Sequence, residues 1–165
     1  MTAASISFDR PRWQTVLIFA LAFWLSSSLF LDLILMPTLY ASGMGLDPGF
    51  ATASYSIFWL FNRLELLCAA LVLTGALVLH QTRALHRPGA VWVIGLPLLL
   101  LAIAILYTYA LTPAMSSLGL ELDLFNPATQ VPAAMNQMHE GYWSLEVLKL
   151  FAVGALLNFY YRTQR

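Results

Sequence analysis

Four long apolar segments constrain this chain more than any other feature. They cover about residues 13–40, 55–80, 89–111 and 139–161. Each exceeds the roughly 20 residues that a helix needs to cross a hydrocarbon core about 30 Å thick. Charged residues make up only 10% of the sequence, against about 25% in soluble domains. The sequence therefore predicts an all-α polytopic membrane protein, a single domain over residues 1–165 with four transmembrane helices in an antiparallel bundle.

The arginines indicate how the predicted helices are oriented. Four crossings place the following arginines on one side of the membrane: Arg10, Arg12, Arg83, Arg87, Arg162 and Arg165. The two connections on the other side carry Asp47, Glu121 and Asp123 instead. Because cytoplasmic flanks hold the excess of Lys and Arg, both termini are expected in the cytoplasm of a bacterial cell, or in the stroma if the membrane is a thylakoid. Aromatic residues near the outer helix ends, among them Tyr107 and Tyr142, fit a membrane interface.

Composition and motifs exclude several classes of function. The formal net charge is zero, so nothing indicates a nucleic-acid partner. The sequence contains no GxSxG, Walker-type, HExxH, CxxC or GxGxxG motif, and its three histidines are not placed for a catalytic triad. Its single cysteine excludes an internal disulfide. We therefore expect a protein of the lipid bilayer that is not an enzyme.

Polar residues inside the apolar segments are the main functional clue. Charge at bilayer depth is costly unless it is paired or hydrated, so such residues usually face one another or a wet cavity. The predicted buried polar pocket, in the outer half of the membrane, consists of Asp32, Asn62, Arg63, Glu65, Tyr142, Glu146 and Lys149. At about 100° per residue, His139, Tyr142, Glu146 and Lys149 share one face of the fourth helix, which should face the bundle interior.

The sequence does not specify how these charges pair. Arg63 and Glu65 are two residues apart and so point to different sides of their helix. One arrangement pairs Arg63 with Asp32 and Glu65 with Lys149; in another, Glu146 and Lys149 contact each other within one helix turn. The cluster could be a structural network, a hydrated pocket that binds a small ligand, ion or proton, or a docking surface for other membrane subunits.

His139 lies where the last connection enters the fourth helix. With Met135 and Met138 nearby, it resembles a soft copper(I) environment, and a single axial ligand for a pigment such as chlorophyll is a further alternative. The plainer interpretation is a capping or hydrogen-bonding residue. His80 and His86 fall on the opposite side of the membrane by the predicted topology, which disfavours a bis-histidine haem.

Glycines and prolines define the predicted connections. Residues 41–54 are rich in turn-forming residues, and the stretch 112–138 is interrupted by Pro113, Pro127 and Pro132. Pro37 and Pro113 fall at outer helix ends, where proline can stop or kink a helix at little cost. A connection of this length is more often functional or partner-facing than a simple spacer.

Three stretches carry a family resemblance: WLSSSLFLDLILMPTLY (24–40), LTPAMSSLG (111–119) and MHEGYWSLEVLKLFAVGALL (138–157). They resemble an uncharacterised four-helix integral membrane family related to copper-resistance-D-like proteins. The resemblance implies a fold and a membrane location, and it implies Pro37, Pro113, Met115 and His139 as signature positions. Related four-helix proteins occur in cyanobacteria, which points to a role beside a photosynthetic complex.

Two functions are consistent with these features. The first is a non-enzymatic accessory or assembly subunit that docks with a larger membrane complex, for example a photosynthetic one, through contacts with other membrane-protein subunits. The alternative is a binding or transport module for a small ligand, a metal ion such as copper, or a proton, using the outer-half polar pocket with His139 at its mouth.

Overall fold

The computed structural model describes residues 10–43, 49–81, 90–125 and 133–164. These residues are almost entirely helical, and none of them forms a strand. Four stretches are long and apolar enough to cross a membrane: span 1 (Trp13–Ala41), span 2 (Thr52–Gln81), span 3 (Trp92–Leu118) and span 4 (Ala134–Thr163). The predicted all-α fold with four transmembrane helices is confirmed.

Six α-helices and two π-helical turns build these spans. In chain order they are α1 (Arg10–Phe30), a π turn (Leu31–Leu35), α2 (Met36–Ala41), α3 (Phe50–Gln81), α4 (Ala90–Leu106), a second π turn (Tyr107–Leu111), α5 (Thr112–Phe125) and α6 (Ala133–Gln164). Spans 1 and 3 are thus each interrupted once by a wider turn, whereas spans 2 and 4 are continuous α-helices.

The spans form an antiparallel ring. Span 1 packs on spans 2 and 4, and span 3 packs on the same two, so spans 1 and 3 are diagonally opposite. The Gln14 side chain donates to the Tyr160 carbonyl oxygen at 2.8 Å, and the Tyr142 hydroxyl donates to Asp32 at 2.7 Å. Span 1 therefore begins where span 4 ends. We call that side of the bundle the terminal end, and the side where span 1 ends and span 2 begins the loop end.

The apolar core lies towards the terminal end. It includes Leu17, Leu21, Trp24, Ala69, Val72, Leu79, Leu100, Val153 and Leu156. Spans 1 and 2 approach closely at Gly75, where an added Cβ would lie 2.6 Å from Leu17 Cδ2. Large apolar side chains such as Phe19 and Phe151 point away from the bundle and are well exposed. An apolar exterior on helices of this length suits a lipid bilayer, which is the partner expected from the sequence.

Helix continues past Pro37 and Pro113, where the sequence analysis placed the outer helix ends. Both π turns end two residues before a proline, Pro37 in α2 and Pro113 in α5. Proline lacks an N–H and its ring excludes the carbonyl four residues back. A π turn relieves this conflict by shifting the bonding pattern to the carbonyl five residues back; Met36 N–H donates to Leu31 O and Thr112 N–H to Tyr107 O.

The third helix was expected to end at residue 111 and the fourth to begin at residue 139. In the structure helix continues to Phe125 in α5, and α6 already begins at Ala133. Much of the predicted connection is therefore helical. Other residues used in the sequence interpretation lie outside the described residues: Asp47, Arg83, His86, Arg87, Pro127, Pro132 and Arg165.

Candidate functional site

Glu65, Glu146 and Lys149 form a buried charge cluster, which we call the ionic trio. Each is at most 1% exposed. The Lys149 ammonium donates to Glu65 Oε1 and lies 2.7 Å from Glu146 Oε2. The two pairings considered for Lys149, with Glu65 and with Glu146, therefore occur together, and one ammonium serves two carboxylates. Span 4 runs from residue 134 to 163 and span 2 from 52 to 81, so the trio lies near the middle of the spans.

Helix α1 supplies two further donors to the trio. Trp24 Nε1 donates to Glu65 Oε1 at 2.9 Å, and Ser28 Oγ donates to the same oxygen at 3.2 Å. Sequence reasoning did not single out either residue. The signal was present, because Trp24, Ser28 and Asp32 are spaced by four and so share one helix face.

Two tyrosines continue the polar contacts from the trio towards the loop end. The Tyr107 hydroxyl lies 3.2 Å from Glu146 Oε2 and 3.1 Å from the Tyr142 carbonyl oxygen, and it can donate to either. The Tyr142 hydroxyl donates to Asp32 Oδ1, and the two rings stack with centroids 5.1 Å apart. Tyr107 is 1% exposed, so the expectation that it lies at the membrane interface is wrong. Tyr142 is the predicted pocket residue that links Asp32 to the trio.

Arg63 does not belong to the buried set, contrary to the prediction. Its side chain is exposed; the guanidinium lies 3.4 Å from the centroid of the Trp59 ring and donates to the Trp59 carbonyl at 3.2 Å. The reason is helical phase, since a residue two positions from Glu65 is rotated by about 200° and faces outwards when Glu65 faces inwards. The predicted pair of Arg63 with Asp32 is therefore not formed.

Asn62 is buried as expected, but it connects to span 3 and not to the trio. Its Nδ2 donates to Thr112 Oγ1 at 2.7 Å. Thr108 Oγ1 lies 3.5 Å from the Asn62 carbonyl oxygen and 2.7 Å from that of Ala104. Asn62 thus fixes the rotation of span 3 beside its second π turn.

A cavity of about 350 Å³ opens between the four spans at the loop end. Its lining comprises Asp32, Met36, Tyr40, Phe50, Ser54, Tyr55, Phe58, Thr112, Met115, Ser116, Met135, His139, Tyr142 and Trp143. Asp32 is two turns deeper than Tyr40 on the same face, about 12 Å at a rise of 1.5 Å per residue. Asp32 therefore marks the inner wall of a mainly aromatic and apolar chamber.

Asp32 has an unusual environment in that wall. It is 4% exposed, its Oδ1 accepts from Tyr142, and its Oδ2 has no hydrogen-bond partner in the described part of the chain. It forms no ion pair there either, since both ion pairs found within the described ranges involve Lys149. Asp32 lies in the first π turn, a kind of turn that is frequent at functional sites.

Two of the four signature positions implied by the family resemblance line this cavity. Met115 and His139 line it, and Pro37 and Pro113 follow the π turns that hold Asp32 and Tyr107. His139 Nδ1 lies 2.9 Å from the Met135 carbonyl oxygen, which leaves Nε2 as the nitrogen available to a ligand. Within the described residues, no group of three His, Cys, Asp or Glu side chains could hold a metal ion.

Comparison of the chain with protein-family models, with curated proteins and with solved structures finds no match. The function is therefore inferred from the site itself. The cavity provides an apolar volume, one unpaired carboxylate oxygen on its inner wall and one imidazole in its lining. These groups can hold and orient a small molecule.

Proposed function

We propose that this chain is a non-enzymatic integral membrane protein that binds a small, largely apolar ligand in the cavity at its loop end. The observation that carries the proposal is the cavity itself, about 350 Å³ in volume, with Asp32 on its inner wall. Ligand sites are typically clefts of about 300–1,000 Å³ that are mostly apolar, with a few polar groups that fix orientation. The lining has this composition.

The ionic trio has a different role in this proposal. None of Glu65, Glu146 and Lys149 is among the residues that line the cavity. Their mutual contacts, with those of Trp24 and Ser28, join spans 1, 2 and 4. Interhelical polar contacts of this kind determine which helices pack together in a membrane. We therefore assign the trio to the structural support of the cavity.

The orientation follows from the arginines at the terminal end. Arg10 begins α1 and Arg162 lies in the last turn of α6, and basic residues favour the cytoplasmic side. With both termini in the cytoplasm of a bacterial inner membrane, or in the stroma beside a thylakoid, the cavity opens to the periplasm or the lumen. Labelling of single cysteines placed at the two chain ends, in a Cys68→Ser background, tests this; labels on opposite faces would refute it.

Ligand binding can be tested with a neutral aromatic probe, neopentylbenzene, and the full-length protein in lipid nanodiscs. Saturation-transfer NMR should show transfer to the probe above that of empty nanodiscs. Ser54→Trp fills the cavity and should reduce the saturation-transfer signal to that of empty nanodiscs. The matched control is Ala70→Trp, an exposed position on the same helix, which should retain it. An equal signal in both variants, or none above empty nanodiscs, would overturn the proposal.

A second candidate ligand is copper(I). Three thioethers, from Met36, Met115 and Met135, line the cavity together with His139, and thioether sulfur with imidazole is a donor set that suits this ion. Titration of the protein with copper(I) against a chromophoric chelator tests it. Binding that is weakened in Met115→Leu and in His139→Ala supports a copper site, and no competition with the chelator refutes it.

The accessory-subunit hypothesis and the family resemblance stay predictions. Exposed apolar side chains, such as Phe19 in span 1 and Phe151 in span 4, are what a lipid-facing surface requires.

A further inference from the structure

We propose that the ligand of the cavity is an organic cation, an ammonium group carried on an apolar body, with Asp32 as its counter-ion. The inference rests on the proposed function and specifies the chemical class of its ligand. It follows from three features of the site: the charge balance of the buried groups, the aromatic lining, and the scarcity of oxygen ligands.

The buried charges carry an excess of carboxylates, one of which, Asp32, lies at the cavity. Three carboxylates, those of Asp32, Glu65 and Glu146, are buried with a single ammonium, that of Lys149. Lys149 contacts Glu65 and Glu146, and Asp32 is the carboxylate left without a cation in the described part of the chain. A buried carboxylate without a counter-charge is unfavourable in a low-dielectric interior. A positive group that enters the cavity removes this cost, whereas a neutral ligand leaves it.

The environment of Asp32 leaves room for such a group. The Tyr142 hydroxyl donates to Oδ1 and so fixes the carboxylate, while Oδ2 has no partner within the described ranges. His139 is the lining residue that could carry a positive charge. It is exposed, and its Nδ1 is engaged with the Met135 carbonyl.

The lining favours an organic cation by its aromatic content. Six of the residues that form it have aromatic rings: Tyr40, Phe50, Tyr55, Phe58, Tyr142 and Trp143. Ring faces attract cations, and aromatic cages of this kind recognise quaternary ammonium groups. The apolar body of the ligand would occupy the remaining volume between the methionine side chains.

A hard inorganic cation such as Ca²⁺ or Mg²⁺ fits less well. Such an ion needs about six oxygen ligands. Apart from Asp32, the oxygen atoms of lining side chains come from the hydroxyls of Ser54, Thr112, Ser116 and three tyrosines. Two of these are already engaged, since Thr112 accepts from Asn62 and Tyr142 donates to Asp32. The mainly apolar wall suits a cation that brings its own apolar surface.

The test compares two probes of the same shape, the cation benzyltrimethylammonium and neutral neopentylbenzene. In the neutral probe a carbon atom replaces the charged nitrogen. With the full-length protein in nanodiscs, we expect the cation to bind at least about tenfold more tightly, as a desolvated cation–aromatic contact and a counter-ion together allow. Asp32→Asn should weaken binding of the cation about tenfold or more and leave the neutral probe unchanged. Phe58→Leu, which keeps an apolar wall, should weaken binding of the cation alone.

The outcomes separate the two proposals. If the neutral probe binds in the cavity and the cation binds no better, the cation assignment is overturned and the proposed function stands. If neither probe binds, the proposed function fails as well. Should Asp32→Asn not fold, the wild-type protein provides the decisive comparison with phenylmethanesulfonate, an anion of similar shape. Equal affinity for the anion and the cation would overturn the assignment, and exclusion of the anion alone would support it.

Discussion

Replacing Lys149 with methionine tests the assignment of the ionic trio most directly. The substitution keeps a long apolar stem and removes the charge that two carboxylates share. Glu65 and Glu146, at 1% and 0% exposure, would then be buried without a counter-charge. Removing one partner of a buried ion pair costs about 3–5 kcal/mol. An ordinary interhelical hydrogen bond in a membrane protein contributes only about 0.6 kcal/mol, and at most about 1.7.

The assay is reversible unfolding by SDS in mixed micelles, followed by circular dichroism. Lys149→Met should lower the free energy of unfolding by about 3–5 kcal/mol. The matched control is Arg63→Met, because Arg63 is a cation on span 2 that faces outwards and contacts Trp59. Loss of an exposed cation–aromatic contact should cost about 0.5–1 kcal/mol.

A triple variant, Glu65→Gln, Glu146→Gln and Lys149→Met, removes all three charges together. Because positions 65 and 146 then carry no charge that needs a partner, it should recover most of the stability lost in the single variant. The reasoning is refuted if Lys149→Met costs no more than Arg63→Met. It is refuted equally if the triple variant is as unstable as the single one, since unpaired charge would then not be the cause.

Three further predictions concern burial and packing. Lys149, the only lysine of the sequence, should resist an amine-reactive ester in the native protein and react after SDS denaturation, as peptide mass spectrometry can show; equal labelling in both states would contradict its burial. Gly75→Ala should cost about 1–3 kcal/mol of unfolding free energy, because its Cβ would meet the Leu17 side chain. In the control Gly95→Ala the added Cβ has open space around it, and the variant should gain up to about 1 kcal/mol. If Gly95→Ala were less stable than Gly75→Ala, the close approach of spans 1 and 2 would be refuted. Tyr142→Phe, which deletes the donor to the cavity carboxylate, should lower the same free energy by roughly 1–2 kcal/mol; an unchanged value would argue against that hydrogen bond.

Much of the candidate site was accessible from helical phase. Glu65, Glu146 and Lys149 were expected to face inwards because charge in an apolar segment must find a partner, and 100° per residue places Glu146 and Lys149 on one stripe. The same rule separates Arg63 from Glu65 and would have placed Arg63 outside the bundle. The pairing of Arg63 with Asp32 was wrong because it required both faces of one helix to point inwards.

The helix boundaries were less predictable near proline. Pro113 was taken to limit the third helix because proline disrupts the α-helical bonding pattern. Whether a helix stops there or adopts a π turn depends on what the neighbouring helices offer to pack against. Here the π turn places Tyr107 beside Tyr142 and Glu146, contacts between residues 35 or more positions apart in the sequence.

The sequence by itself determined that the chain crosses a membrane four times and that particular faces of α3 and α6 carry buried charge. Hydropathy and helical phase are properties of single segments, so they need no knowledge of neighbours. The tertiary structure alone decided which carboxylates share Lys149, that Asp32 has no cation beside it among the described residues, and that a cavity exists next to Asp32. A cavity is the space that four helices leave between them, and it depends on their mutual rotation and separation, which no segment specifies alone.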